Sequence, residues 1–94
     1  MIVKIYIVIW NDRHTDPTAD VFSDKDAAIN WARDNAKKSC RHKEDYEEKD
    51  IGRDQGWVFY ASYSCESDCI WVVESEIDQK LKLEVMIDNA VSQL

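Results

Sequence analysis

The sequence predicts an α+β fold: an antiparallel sheet of three to four strands, one main helix packed on one face, and a C-terminal helix. Three observations carry this. Residues 2–10 (IVKIYIVIW) are β-branched and aromatic almost without a polar break. Residues 23–40 carry a capped helical pattern. Residues 57–77 form two apolar, alternating runs separated by a short polar break, the signature of a hairpin. With 94 residues the chain is read as one domain, residues 1–94, with a charged connecting loop over 41–56.

Each element has a local cause. A run apolar at every position but Lys4, as in Ile2–Trp10, reads as a strand covered on both faces and therefore central in its sheet. Asn11 to Asp20 (NDRHTDPTAD) is turn chemistry with Pro17 as a breaker, and Ala19–Phe22 can pair back as a short strand. Ser23 is a suitable N-cap, with Asp24 and Asp26 in the first turn, where the helix dipole favours negative charge. Ala28, Ile29, Ala32, Ala36 and Cys40 then fall on one side at helical spacing, and Lys37 and Lys38 suit the C-terminal end. Residues 41–56 have almost no apolar content and read as a solvated connection.

The hairpin is expected as Trp57–Cys65 and Cys69–Ile77 around a three-residue loop, Glu66-Ser67-Asp68. With Cys65 facing Cys69, the pairs are Tyr63–Trp71, Ala61–Val73, Phe59–Ser75 and Trp57–Ile77, all on one apolar face. The other face then carries Tyr60, Ile70, Val72, Glu74 and Glu76. In residues 78–94, Leu83, Ile87, Ala90, Val91 and Leu94 align on a helix, while Leu81, Leu83, Val85 and Ile87 alternate as in a strand; the helix is favoured.

Composition bounds the function. Twelve Lys and Arg against nineteen Asp and Glu give a net charge of −7, which argues against direct binding to nucleic acid or an anionic membrane and favours a basic protein partner. The longest apolar run is about half a membrane span, and no small-residue cleavage site follows it. Three cysteines, an odd number, fit a reducing cytoplasm better than a secreted disulfide framework. Two glycines and no G-x-S-x-G elbow leave neither a phosphate-cradling loop nor a nucleophile motif.

The hairpin concentrates the acidity. It holds Glu66, Asp68, Glu74, Glu76 and Asp78 without one Lys or Arg. The leading expectation is therefore a non-enzymatic, acidic protein-binding module that meets a basic surface through Glu66, Asp68, Glu74, Glu76 and Tyr60, with no cofactor. Two alternatives belong to other classes. One is a metal-binding or redox-sensing protein. Asp12, His14 and Asp16 alternate in the first loop, and His14-x-Asp16 is the local half of a two-His, one-carboxylate site that His42 would complete. Cys40, His42, Cys65 and Cys69 are a second ligand set, and Cys65 and Cys69 could also close as a cross-strand disulfide. A solvated turn and thiols packed as small hydrophobes are the commoner outcomes of such patterns. The other alternative is a subunit of a homo-oligomer, a homodimer included, that buries its outer sheet face or Trp10 against a copy of itself.

The succession VKIYIVIWNDRHTD, VFSDKDAAINWARDNA and GWVFYASYSCESDCIWVVE resembles, in layout over residues 1–78, small bacterial and phage open reading frames of α+β build. In size and acidity the chain is similar to phage-encoded inhibitors, anti-CRISPR proteins among them. The resemblance implies an inhibitor of a basic, nucleic-acid-binding partner. Such inhibitors share no signature, so it assigns no residues.

Overall fold

The computed structural model describes residues 2–78. They form one five-stranded antiparallel sheet with one main helix, an α+β fold with one strand more than expected. The strands are β1 (Ile2–Asn11), β2 (Thr18–Phe22), β3 (Glu47–Glu48), β4 (Trp57–Ser62) and β5 (Cys69–Asp78), and the helix is α1 (Lys25–Ser39). The spatial order is β2-β1-β5-β4-β3. β1 lies inside the sheet, as its composition requires, but β5 holds the centre. The expected C-terminal helix lies outside the described residues.

α1 begins one residue later than the sequence suggests. Asp24, not Ser23, is the N-cap, and its carboxylate accepts the Ala27 N–H at 3.1 Å. Ala28, Ala32 and Ala36 recur every four residues, have no exposed surface, and let the helix lie close on the sheet. Beneath them are Tyr6 and Val8 of β1, Ile70 and Val72 of β5, and Phe59 and Ala61 of β4. Trp31 closes one side of this core, edge-on to Trp10 at 6.0 Å between ring centroids and tilted on Phe22 at 5.8 Å.

The charged connection contributes the fifth strand. β3 pairs Glu47 with Ser62 and Glu48 with Ala61, adding an edge beyond β4. Arg33 of α1 holds it there, donating Nε and Nη2 to the Glu48 carboxylate at 2.9 and 3.1 Å, while the Tyr46 hydroxyl donates to the same group at 2.7 Å.

The hairpin corrects the expected register. Cys69 faces Ser62, Ile70 faces Ala61 and Trp71 faces Tyr60, with a bulge between Trp57 and Phe59. The connection spans residues 63–68 instead of three residues. Side-chain bonds explain the longer loop: Ser64 Oγ accepts the Glu66 and Asp68 N–H groups at 3.1 and 3.4 Å and donates to the Asp68 carboxylate at 2.9 Å. Ser67 takes a left-handed φ of 70°. The slip turns β5 over relative to expectation. Ile70, Val72 and Glu74 lie on the α1 side, and Trp71, Val73 and Ile77 point to the opposite, open side with Tyr60. Cys65 is exposed in the loop, whereas Cys69 is buried, so the two do not face each other.

Candidate metal centre

β1 ends with Asn11 opposite Cys69, the first residue of β5. This pairing places the turn after β1 beside the loop before β5, at one end of the sheet. Both segments are fixed by hydrogen bonds. Asp12 Oδ1 accepts the His14 N–H at 2.8 Å, and the Asp12 carbonyl accepts the Thr15 N–H at 3.2 Å. Asp68 Oδ1 accepts the Arg13 N–H at 2.9 Å, joining the two segments. Tyr63 supplies a second link: its hydroxyl donates to Asp12 Oδ2 at 2.5 Å and accepts the Trp10 indole N–H at 2.6 Å.

The result is a cleft of about 360 Å³ whose lining includes Asp12, His14 and Asp68. One ligand-type atom each from Asp12, His14 and Asp68 lies within 4.8 Å of the other two. Asp68 is 4 % exposed, yet each of its oxygens has a donor, so the charge is held in place. The Tyr63 hydroxyl and the His14 N–H hold the Asp12 carboxyl below the usual carboxylate range. Burial and the Asp12 carboxylate push the Tyr63 phenol well above its ordinary value, so it stays a donor. Glu66 closes the rim, 3.2 Å from Arg13 Nη2 and 3.5 Å from His14 Nε2. His42 lines the same cleft.

An imidazole with carboxylates suits Zn²⁺, Mn²⁺ or Fe²⁺ better than the all-oxygen cages of Ca²⁺ and Mg²⁺. Bonds of about 2.0–2.2 Å would bring the donor atoms to roughly 3.3 Å from one another. The exposed His14 ring is the group free to make that closure, since both carboxylates are anchored.

The residues proposed from sequence divide as follows. His14 belongs to the cluster and His42 to its cleft, but Asp12 takes the place expected for Asp16, which is exposed outside the cluster. Asp68 was expected as a partner contact and is instead a buried member of this site. Its role is visible only once β1 and β5 are paired, because 54 positions separate His14 from Asp68 along the chain. The cysteines join no such cluster among the described residues. Cys40 Sγ donates to the His42 carbonyl at 2.9 Å, and burial raises the Cys69 thiol above its ordinary pKa.

The five acidic-hairpin residues do not share one surface. Glu66 and Asp68 sit at the cleft. Glu74 and Glu76 lie toward the other end of β5 on the α1 side, where Glu74 pairs with Lys4 at 3.2 Å. Tyr60 lies on the opposite side, stacked with Trp57 and Trp71 at 5.8 and 6.4 Å. A wider cleft of about 650 Å³ beside Glu74 and Glu76 mixes Lys25 and Arg53 with Asp50, and Arg53 is already paired to Asp50 at 2.7 Å.

Compared with protein-family models, curated proteins and solved structures, the chain matches none. Among the described residues, no helix is long and apolar enough to cross a membrane.

Proposed function

We propose that the protein binds one divalent transition-metal ion through Asp12, His14 and Asp68. The observation that carries this reading is the convergence of three ligand-type atoms from two separate loops. The Arg13 guanidinium turns to Glu66 and not to these two carboxylates. Glu66, 3.5 Å from His14 Nε2, and His42 line the same cleft outside the cluster. The ion would tie the turn after β1 to the loop before β5, so binding is expected to raise thermal stability as well as fill a site.

Isothermal titration of the full chain with Zn²⁺ and with Mn²⁺, after chelator treatment, tests this. One ion per chain is expected. Asp68→Asn and His14→Ala should each weaken binding by about tenfold or more, while Asp16→Asn, outside the cluster, should leave it unchanged. A chain that binds neither ion stoichiometrically, or binds equally well after both cluster substitutions, overturns the proposal.

A further inference from the structure

The sheet has two sides, and among the described residues α1 covers one. On the other stand Ile5, Ile7 and Ile9 of β1, Trp71 and Val73 of β5, and Tyr60 of β4. Val21 of β2 extends the patch and is 59 % exposed. An antiparallel sheet that faces water alternates apolar and polar residues. Here Val3, Ile5, Ile7 and Ile9 make β1 apolar on the side away from α1 as well, and their register partners there are Ile77, Ser75, Val73 and Trp71. Glu47 is on this side, at the β3 edge opposite Ser62.

We propose that a second copy of this chain covers the open face, so that two sheets pack face to face around a dry centre. Three properties favour a copy over other occupants. Neither Lys nor Arg stands on this side of β1, β2, β4 or β5, and Lys49 at the β3 edge is paired to Glu47 at 3.9 Å, so the face offers little to a phosphate backbone. The strands β2, β1, β5 and β4, about 4.8 Å apart and about 3.3 Å per residue, make a face of roughly 500 Å², near the low end of the ~600–1,000 Å² each partner buries in a specific interface.

The face is also complementary to itself. Trp57, Tyr60 and Trp71 form a stacked ridge on the β4–β5 half, with Trp57 and Trp71 at 5.3 Å, while the β1–β2 half is aliphatic. A two-fold axis parallel to the strands sets the aromatic half of each copy on the aliphatic half of the other. The Glu47–Lys49 pair at the β3 edge then lies at the rim of the contact, beside β2 of the other copy.

The test uses the full chain. Sedimentation equilibrium at micromolar concentration should give twice the 11.0 kDa chain mass, and Ile7→Glu should return the mass to that of one chain with an unchanged circular dichroism spectrum. Should Ile7→Glu fail to fold, a photo-crosslinking amino acid at Val21 carries the test. In mixed isotope-labelled and unlabelled protein, cross-links should join Val21 of one copy to the Trp57–Tyr60 or Trp71–Val73 peptides of the other. A single-chain mass at every concentration overturns the proposal. So does a dimer cross-linked elsewhere, or a cross-link from Val21 to residues 79–94 of its own chain.

Discussion

Gly52 carries more of the local structure than its size suggests. Its φ of +76° lies in the left-handed region, and its carbonyl accepts both the Gln55 and Trp57 N–H groups at 2.9 Å. A Cβ at this position would overlap the Trp57 indole. Gly52→Ala should therefore cost more than about 1 kcal/mol, read as a lower urea midpoint; an unchanged midpoint would show that the indole moves aside at no cost. Residues at the candidate metal centre show how far single positions speak for themselves. His14 is legible because imidazole is a ligand type wherever it stands. Asp68 did not, since one carboxylate in an acidic hairpin is indistinguishable from its neighbours until folding buries it beneath Ser64 and the Arg13 N–H.

α1 was legible because its signals are local: an Ala every fourth residue, acid at one end and base at the other. The same alanines define a prediction. Ala32 is sealed between helix and sheet, whereas Ala27 on the same helix is exposed. Ala32→Leu should destabilise by about 1–3 kcal/mol through overpacking, and Ala27→Leu should be near neutral. Equal thermal midpoints for the two variants would mean that the helix can lift from the sheet without loss. β3 left no periodic trace in the sequence, because a two-residue edge strand of Glu47 and Glu48 needs no apolar face. The hairpin was legible as an element but not in register. Its loop is set by Ser64 and Asp68 side-chain bonds, which compete with the ladder and leave no mark on apolar alternation.

At the scale of the molecule, two carboxylates link stability to pH. The Tyr63 hydroxyl holds Asp12 below its ordinary value, and the Arg33 guanidinium does the same for Glu48. A group depressed in the folded state stays ionised there while its unfolded counterpart takes up a proton. Its contribution is complete above the ordinary carboxylate range, near pH 4, and is lost as pH falls through the folded value. Denaturation midpoints of metal-free protein should therefore be flat near neutrality and fall on the acid side, with a shallower fall in a Tyr63→Phe/Arg33→Gln variant. An identical acid limb in that variant would place the acid sensitivity elsewhere. The α+β class was readable because it follows from the order of local patterns. The site was only half readable, because it depends on Asn11 meeting Cys69 across the chain.

The outermost strands bear on how the protein behaves when concentrated. An unpaired edge is a template on which further backbones can add, the first step toward fibrils. Among the described residues one edge is β3, two residues long, both glutamates, and clamped to α1 through Arg33. The other is β2, entered from Pro17 and carrying Asp20. Neither offers a long, uncharged ladder. With growth blunted in the plane of the sheet, association is left to the open face, which two copies use up. The expected outcome of crowding is a closed pair and not an extending polymer.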